Sequence, residues 1–351
     1  MRILQINLER GWRGGERQTL LTLQGLQALG HAPALVARAG GVLAQRAEAA
    51  GVPVHACRGG PGLASFLLSQ GGRYDVWHAQ TAQAMSVAAL LRPVLRVPLV
   101  FTRRTAFASS GSQRARRWKW ARADALVAIS QAAAQAPQDL GLPVSVIPSA
   151  VQAVEPAPGR VAALQQTFAL EGRRVLVTAA ALSPEKDPQT LIEAVAHVCQ
   201  QFPDVSCLHC GADGAAAADA RARVEALGLQ DRYLFAGFQP HVADALALAD
   251  VYVSSSRFEA LGTSVLDACL AGLPVVATEV GGHAEILAPD RGLLVAAGDA
   301  SALARRIVWV LTHPAAAQAM GTRARAYVEQ EFSVPGMVAS YERLYRRLVA
   351  R

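Results

Sequence analysis

Along the first 150 residues, short apolar runs rich in β-branched residues alternate with longer segments whose apolar positions recur at helical spacing. In the segment Gly15–Leu29, four leucines follow one another at intervals of three residues, a pattern typical of an amphipathic helix. Alternation of strands and helices of this length predicts an α/β fold with a doubly wound, mostly parallel sheet. The predicted strands are Ile3–Asn7, Ala34–Ala37, Val52–Cys57, Asp75–His78, Leu99–Thr102, Ala125–Ile129 and Val144–Ile147.

A second alternation of the same kind begins after residues 151–160, a stretch with two prolines and a glycine that we interpret as a linker. From about Ala300 onward the pattern is helical. We predict two Rossmann-like domains, residues 1–155 and 156–335, with helix 336–351 completing the first. Ligands of such folds bind beyond the carboxyl ends of the strands, so we expect the two sheets to face a central cleft. The predicted elements here are strands Arg174–Ala180, Val205–Cys210, Tyr233–Phe235, Val251–Ser254 and Pro274–Ala277, and helices Pro188–Gln201, Gly262–Ala271 and Gly336–Val349.

Charge is divided unevenly between the two halves. Residues 1–160 contain 18 Lys and Arg against 7 Asp and Glu, whereas the remainder contains 16 against 20. The basic half should attract an anion, either a phosphorylated substrate or an anionic membrane surface. No nucleic-acid-binding motif accompanies this charge, so a nucleic acid is not expected as a partner. An arginine-rich bias of the whole proteome is the alternative explanation.

Composition narrows the class of protein further. The chain is 52% hydrophobic and 17% charged, which is enough apolar material for buried cores and excludes a disordered protein. No apolar run reaches the ~18 residues of a membrane span, and the charged, short first strand does not resemble a signal peptide. Five cysteines without an export signal favour a reducing compartment. We therefore expect a soluble protein of the cytoplasm.

Two loops that follow predicted strands could bind an anion. The first contains Gly14 and Gly15 at the start of a helix, where the backbone can approach a ligand and free N–H groups can bind a phosphate. The second contains Lys186, which could neutralise a diphosphate with an attraction of up to ~4 kcal/mol at 4 Å. A tight strand–helix turn and an exposed surface lysine are the structural alternatives.

The segment 254–277 carries the strongest chemical signal. Glu259 follows a serine-rich strand end, Gly262 opens a turn with two hydroxyl residues, and Asp267 lies in the helix that follows. Amides of the turn and the helix N-terminus can bind a phosphate, while two carboxylates can accept hydrogen bonds from a polyhydroxylated ligand. The pattern indicates a site for a phosphate that is attached to sugars.

Glu259 and Asp267 resemble the Glu-x7-Glu region of the retaining glycosyltransferases with the GT-B fold, glycosyltransferase family 4. The resemblance covers nearly the whole chain, and it is the order and spacing of several weak motifs that make it specific. The other matching motifs are Gly14-Gly-Glu16 with Gly30-His31, Asp75-Val-Trp-His78, Ala123–Ser130, Val146-Ile-Pro148, Leu182–Lys186 and Gly281–Ile286.

The resemblance implies roles for the residues of the second domain. Glu259 would lie beside the donor sugar, Asp267 would bind the nucleotide ribose, and Lys186 would contact the donor diphosphate. The arginine that usually accompanies the lysine is Ala181 here, so the family's two-cation clamp is incomplete. The substrate-binding backbone would be that of Leu261, Gly262, Thr263 and Ser264.

In the first domain the family often has a histidine where this chain has Arg103 and Arg104 after the fifth strand. Either arginine would supply the missing cation to the reaction or hold an anionic acceptor. His78 would line the cleft and bind substrate, or it is an ordinary core histidine at a strand end. Gly14 and Gly15 would bind substrate.

Three further observations bear on metal binding and on membrane contact. Cys207 and Cys210 have the spacing of half a metal site, but no second pair exists and they fall in a predicted core strand. No Asp-x-Asp motif is present, so no metal and no cofactor are expected. The segment 114–122 interleaves arginine with tryptophan on a predicted helix, which would lie either on anionic lipid at the inner face of the cytoplasmic membrane or in solvent.

The sequence therefore predicts a metal-independent glycosyltransferase that uses a nucleotide-diphosphate sugar, a UDP-sugar by frequency within the family. The acceptor would be a glycan, a lipid-linked molecule or another anion, as in surface polysaccharide or lipopolysaccharide synthesis. Retention of configuration is implied by the resemblance. Two alternatives remain: a catalytically silent nucleotide-sugar-binding protein, suggested by Ala181 and Asp267, and a nucleotide-sugar epimerase of the same fold.

Overall fold

The computed structural model describes residues 1–106 and 112–350, which form two α/β units. The amino-terminal unit contains residues 1–150 and the chain from Ser333 onward, and the carboxyl-terminal unit is Val151–Phe332. The division lies five residues before the predicted boundary at its first crossing and three residues before it at its second. The predicted linker is too long, because a helix begins at Pro158, whose fixed φ suits the first turn of a helix.

The amino-terminal unit is built on a parallel sheet whose strand order, within the described residues, is β3-β2-β1-β4-β5-β6-β7. The order reverses between β1 and β4, and in open α/β sheets the carboxyl ends of the strands at such a reversal border a ligand crevice. The elements are β1 (Arg2–Asn7), α1 (Gly14–Ala28), β2 (Ala32–Arg38), α2 (Val42–Ala49), β3 (Val54–Cys57), α3 (Gly60–Gln70), β4 (Val76–Ala79), α4 (Ala82–Leu95), β5 (Leu99–Arg103), α5 (Gln113–Trp120), β6 (Ala125–Ala128), α6 (Gln131–Gln138) and β7 (Val144–Val146).

The carboxyl-terminal unit repeats this plan with the strand order β10-β9-β8-β11-β12-β13, which reverses between β8 and β11. The short strand β13 has no counterpart among the predicted strands. The elements are α7 (Pro158–Thr167), β8 (Arg174–Ala179), α8 (Pro188–Gln201), β9 (Val205–Cys210), α9 (Ala217–Ala226), β10 (Tyr233–Gly237), α10 (Val242–Leu246), β11 (Val251–Ser254), α11 (Thr263–Leu270), β12 (Val275–Thr278), α12 (Gly282–Leu287), β13 (Leu293–Val295), α13 (Ala300–Thr312) and α14 (Pro314–Glu331).

The last helix, α15 (Val334–Val349), belongs to the amino-terminal unit. Ser333 caps it by accepting a hydrogen bond from the backbone N–H of Gly336 at 3.3 Å. Tyr341 and Tyr345 are buried against the face of the sheet that α1 also covers. The opposite face of that sheet is covered by α3, α4 and α5, which contribute a separate buried cluster. No helix among the described residues has the length and apolarity needed to cross a bilayer.

Candidate active site

Two residues that the sequence singled out, Lys186 and Glu259, form an ion pair in the carboxyl-terminal unit. Lys186 lies in a single turn after β8 and Glu259 follows β11, the two neighbouring strands at which the strand order reverses. The ammonium of Lys186 donates a hydrogen bond to Glu259 Oε2. Both side chains are partly exposed, Lys186 by 25% and Glu259 by 16%, so the pair borders solvent. A cation and a carboxylate therefore meet where a ligand of this sheet would bind.

A second ion pair, between Arg257 and Asp187, lies beside the first and was missed from the sequence. Arg257 Nε donates to Asp187 Oδ2 at 2.7 Å, and the carboxylate is buried while the guanidinium is half exposed. Asp187 also caps α8, because its carboxylate accepts from the Thr190 hydroxyl at 2.6 Å and from the Thr190 N–H at 3.4 Å. Aspartate directly before a proline that opens a helix is the local signal that could have revealed this cap.

Further bonds tie the loop after β8 to the loop after β11. The Ser255 hydroxyl donates to the carbonyl oxygens of Lys186 at 3.0 Å and Asp187 at 2.9 Å. The backbone N–H of Arg257 donates to the carbonyl of Glu185 at 2.8 Å. Because these bonds run from backbone to backbone or from a buried hydroxyl, Lys186 and Glu259 are attached to one connected loop structure.

Gly262 places the backbone in a conformation that requires glycine. Its φ is +96°, and a Cβ at this position would stand 2.8 Å from His283 Cδ2 and 3.0 Å from His283 Nε2. Helix α11 starts at the next residue, Thr263, so its first N–H groups follow directly after the turn. The positive end of this helix and the ammonium of Lys186 belong to the same set of loops, which is the charge arrangement that an anion requires.

His283 is buried behind this turn and donates a hydrogen bond from Nδ1. Its ring has no exposed surface, Nδ1 lies 2.9 Å from the carbonyl oxygen of Thr278, and Nε2 has no partner among the described residues. Burial lowers the pKa of His283, while the charge of Glu259 raises it and that of Lys186 lowers it. The ring is therefore close enough to both members of the ion pair to respond to their charges. The sequence placed His283 in a family motif but assigned it no role.

Tyr252 is a buried phenol whose pKa responds to both carboxylates that the sequence selected. It is buried in β11, and its hydroxyl accepts from the backbone N–H of Ala179 at 3.4 Å. Burial raises the pKa of Tyr252, a bond with Ser264 lowers it, and the charges of Glu259 and Asp267 raise it further. Asp267 itself is partly exposed on α11. Both carboxylates thus lie within electrostatic range of one phenol, although no sequence pattern pointed to Tyr252.

In the amino-terminal unit, the glycine loop has a firmly held helix start. Helix α1 begins at Gly14, and Glu16 closes its first turn by accepting a hydrogen bond from the backbone N–H of Arg13 at 2.9 Å. Burial raises the pKa of Glu16, although its bonds to Arg13 and Asn7 lower it. A Cβ on Gly15 would stand 3.5 Å from Arg104 Cδ, which is ordinary contact distance. The loop and Arg104 are therefore neighbours.

Arg103 and Arg104 point in different directions, as successive residues at a strand end do. Arg104 donates from Nη2 and Nε to the Gln80 side-chain oxygen at 2.7 and 3.1 Å, beside the glycine loop. Arg103 is buried, donates to the carbonyl of Ala133 at 3.0 Å and lies over the ring of Trp120. Burial lowers the pKa of both guanidinium groups. Of the two arginines, only Arg104 lies beside the glycine loop, whereas Arg103 packs inside the helical layer.

His78 is a core histidine. Its side chain is fully buried, with Nδ1 2.6 Å from the Tyr345 hydroxyl and Nε2 2.7 Å from the Thr102 hydroxyl. Burial, with the charge of Arg104 adding to it, holds its pKa well below the usual value. Because both ring nitrogens contact protein groups and no surface is exposed, this geometry matches the core interpretation and not the substrate-binding one.

The cysteine pair of β9 is equally enclosed. Cys207 and Cys210 are buried, and burial raises the pKa of Cys210 to about 12. His209 between them contacts the Tyr233 hydroxyl at 2.7 Å and the Ala180 carbonyl at 2.9 Å, and burial lowers its pKa to about 4. Among the residues that the structure describes, no three His, Cys, Asp or Glu side chains are grouped to hold a metal ion.

Comparison with known proteins gives a consistent result over both units. Residues 12–154 match the family model for glycosyltransferase family 4, and residues 162–327 match the model for glycosyl transferases group 1. A lipopolysaccharide core biosynthesis mannosyltransferase of Rhizobium leguminosarum is 30% identical over 290 residues, which is 79% of each chain. A 2-deoxystreptamine glucosyltransferase of Streptomyces kanamyceticus is 35% identical over 212 residues, covering 57% of this chain and 54% of the relative.

Solved structures share the same architecture. The HepE protein of Anabaena, crystallised in complex with UDP-glucose, superposes with a TM-score of 0.89 at 23% identity, covering 99% of this chain and 100% of the other. A glycosyltransferase from Rickettsia africae superposes with a TM-score of 0.87 at 18% identity, covering 99% and 98%. At these identities the likeness bears on the fold, which is the GT-B fold that the sequence predicted.

Proposed function

Because this chain belongs to glycosyltransferase family 4, we propose that it transfers a sugar from a UDP-sugar to a glycan, lipid-linked or other anionic acceptor. The observation that carries the proposal is the Lys186–Glu259 ion pair, set beside the Gly262 turn and the start of α11. A diphosphate needs a cation and free N–H groups, and a sugar needs a carboxylate that accepts hydrogen bonds from hydroxyl groups. Asp267, on the same helix, is assigned to the nucleotide ribose.

The ion pair has a direct consequence for donor binding. A diphosphate carries more negative charge than one carboxylate, so it competes with Glu259 for the ammonium of Lys186. When Lys186 turns to the diphosphate, Glu259 loses its partner and is released to accept hydrogen bonds from the donor sugar. The two residues therefore exchange one shared ion pair for two separate contacts with the donor.

During transfer, negative charge develops on the departing diphosphate and positive charge on the anomeric carbon. The bond between the anomeric carbon and the diphosphate oxygen breaks, and Lys186 with the N–H groups of Gly262–Ser264 stabilises the departing diphosphate. The anomeric carbon gains oxocarbenium character and forms its new bond to an acceptor hydroxyl on the same face, with retention. The proton of that hydroxyl passes to an oxygen of the leaving diphosphate, so no dedicated protein base, metal or cofactor is required.

The amino-terminal unit is assigned to the acceptor. Arg104, Gly14 and Gly15 form a basic, amide-rich corner at the start of α1, which suits an anionic or phosphorylated acceptor. Similarity to a lipopolysaccharide core mannosyltransferase supports a role in surface polysaccharide or lipopolysaccharide synthesis. We place this enzyme at the inner face of the cytoplasmic membrane, because the acceptors proposed for it include lipid-linked molecules.

Nucleotide binding and release test the proposal. Thermal shift with UDP, GDP and a panel of UDP-sugars should show stabilisation by UDP and at least one UDP-sugar, by ~2.7 kcal/mol at 100 times the dissociation constant. Nucleotide release should then require an acceptor from a lysate glycolipid fraction. Binding without release would indicate a silent binding protein, conversion of the donor without acceptor would indicate an epimerase, and no stabilisation by any nucleotide would overturn the donor assignment.

A further inference from the structure

The imidazole of His283 contains a buried nitrogen that packing leaves without a hydrogen bond. The ring has no exposed surface, and Nδ1 lies 2.9 Å from the carbonyl oxygen of Thr278. A carbonyl oxygen can only accept, so Nδ1 carries the proton of the neutral ring and Nε2 has a lone pair. No group within residues 1–106 and 112–350 bonds to this nitrogen. Buried polar atoms are nearly always paired, so an exception beside a binding site requires a functional explanation.

The ring edge that carries Nε2 is turned toward the loop assigned to the donor. A Cβ on Gly262 would stand 3.0 Å from Nε2 and 3.5 Å from Cγ of Glu259, so the ring and the Glu259 side chain border the same space. Glycine leaves that space open. Close backbone packing holds the ring there, because a Cβ on Gly282 would stand only 2.4 Å from Cα of Leu261. The unpaired nitrogen and Glu259 are therefore neighbours across the Gly262 turn.

Two opposite charges act on this ring. Burial is the largest influence on the pKa of His283 and lowers it, the carboxylate of Glu259 raises it, and the ammonium of Lys186 lowers it. While Lys186 and Glu259 are paired, their charges largely cancel at the ring. The imidazole is therefore neutral at neutral pH in the arrangement that the structure shows.

Other titratable groups around α12 are directed elsewhere. Helix α14 packs against α12, and its Tyr327 donates to the backbone carbonyl of Glu285 at 3.5 Å, under the guanidinium of Arg291. Strands β12 and β13, which also pack against α12, contain no titratable residue. Among the described residues, the charges that act on the imidazole are those of Glu259 and Lys186.

Donor binding would remove one of these two charges. When a diphosphate draws Lys186 away, Glu259 is left as an unpaired carboxylate beside the ring. We propose that Nε2 of His283 then takes up one proton from solvent and donates a hydrogen bond to Glu259, so that histidinium replaces lysine as the partner of this carboxylate. The second carboxylate oxygen stays available to the donor sugar. The proton returns to solvent when the diphosphate leaves and Lys186 pairs with Glu259 again.

His283 is thus a positioning residue, which acts on the donor through Glu259 and does not touch it. The inference rests on the proposed function, because a diphosphate is what draws Lys186 away. It predicts a property that a fixed core histidine lacks, which is donor affinity that rises as pH falls. The diphosphate of a UDP-sugar does not titrate near neutral pH, because each phosphorus atom has a single, strongly acidic hydroxyl. Any proton bound together with the donor is therefore held by the protein.

Calorimetry of the full chain counts this proton, with UDP-glucose as the donor, or UDP-N-acetylglucosamine where it binds more tightly. The heat of binding is measured in buffers that differ in ionisation enthalpy, and the slope gives the number of protons taken up. At about pH 6.5 we expect about half a proton per donor in the wild type and less than about a tenth in His283→Asn, which can still donate to Thr278 but cannot be protonated. From about pH 8 to about pH 6, donor affinity should rise about threefold or more in the wild type only.

Two further variants separate the site from the rest of the chain. Glu259→Gln removes the carboxylate that the histidinium would contact, so proton uptake should vanish although the imidazole is intact. Exposed His197 on α8 is the matched histidine, and His197→Asn should take up as many protons as the wild type. Equal uptake in the wild type and His283→Asn would place the proton elsewhere. A wild type that binds the donor without proton uptake would overturn the proposal.

A measurement without donor keeps this inference separate from the proposed function. Lys186→Gln removes the cation that a diphosphate would draw away, so the His283 ring should titrate about one pH unit higher in NMR spectra than in the wild type. The ring signal is assigned by its absence in His283→Asn or, if that variant does not fold, in His283→Gln. An unchanged titration would overturn the inference.

The two measurements also distinguish the two failures. A raised titration in Lys186→Gln, without binding of either UDP-sugar, would remove the proposed function and leave the proton site of His283 standing. Donor binding without proton uptake at His283 would do the reverse.

Discussion

At the residue scale, the cation assigned to the donor diphosphate is already engaged by a carboxylate. The donor diphosphate competes with Glu259 for the ammonium of Lys186, and the donor sugar needs the carboxylate of Glu259. The two single substitutions should therefore behave differently. Lys186→Ala removes the cation and should lower both UDP affinity and transfer, the latter by about 3 kcal/mol of transition-state stabilisation. Glu259→Gln frees Lys186, so UDP should bind as tightly as in the wild type or more tightly while transfer falls steeply.

Calorimetry with UDP and turnover with a UDP-sugar separate these effects. The exchange of partners predicts that turnover falls while UDP affinity is kept or increased in Glu259→Gln only. A Glu259→Gln variant that loses UDP affinity as severely as Lys186→Ala would show that the carboxylate contacts the nucleotide itself, and the exchange would be wrong.

Gly262 is a residue whose missing side chain matters for two separable reasons. Alanine there meets a positive φ and also the His283 ring, whereas Gly298 has a φ of +80° and nothing within 4 Å of a Cβ. Gly298→Ala should therefore report the conformational cost alone, about 1–2 kcal/mol of stability. Gly262→Ala should cost more and should weaken donor binding, because the turn must move relative to His283.

Thermal denaturation and UDP titration are measured on Gly262→Ala, on Gly298→Ala and on a double variant that combines Gly262→Ala with His283→Ala. Removing the ring should recover part of the donor affinity lost in Gly262→Ala. Equal effects of Gly262→Ala and Gly298→Ala on both measurements would mean that the ring does not constrain the turn.

At the element scale, the loops after β8 and β11 act as one structure through Asp187 and Arg257. Arg257→Ala leaves a buried carboxylate with its helix-capping bonds but without its cation, which should lower the melting temperature of the carboxyl-terminal unit and weaken UDP binding. Arg325 offers a matched control, because its pair with Glu329 lies on an exposed helix surface. Arg325→Ala should leave both quantities unchanged. If the two variants melt alike, the Asp187–Arg257 pair does not organise the site.

The same loops show what sequence patterns can and cannot predict. Strands such as Val205–Cys210 and Val251–Ser254 have the predicted bounds, because strands buried on both faces consist mostly of apolar residues. Lys186 and Glu259 were selected from their places after predicted strands, and the family motifs then gave them roles, but their pairing joins positions 73 residues apart and leaves no local trace. The hydrogen-bond partners of His78 come from distant parts of the chain, so the sequence left its role open. The unpartnered Nε2 of His283 is likewise set by packing, and the sequence assigned that residue no role.

At the scale of the whole molecule, the amino-terminal unit is completed by the last helix, which follows the carboxyl-terminal unit along the chain. Helix α15 supplies Tyr345, whose hydroxyl lies 3.1 Å from Gln5 Nε2 and 2.6 Å from His78 Nδ1 in the interior of the amino-terminal unit. The first and last elements of the chain are thus joined by buried polar contacts. Because each unit also encloses a histidine whose pKa burial lowers, stability of both units should depend on pH in the same direction.

The sign of that dependence follows from His209, whose pKa burial lowers from 6.5 to about 4. Below the ordinary pKa of histidine, the unfolded chain binds a proton at His209 and the folded chain does not. The contribution of His209 to stability is therefore complete above about pH 6.5 and is lost as pH falls toward 4. At about pH 5 this group should cost about 2 kcal/mol relative to neutral pH. His209→Gln, which does not titrate, should be less stable at neutral pH yet show a shallower fall of melting temperature between about pH 7 and about pH 5. Exposed His197→Gln on α8 should keep the wild-type slope; identical slopes for all three proteins would mean that His209 takes up its proton without unfolding.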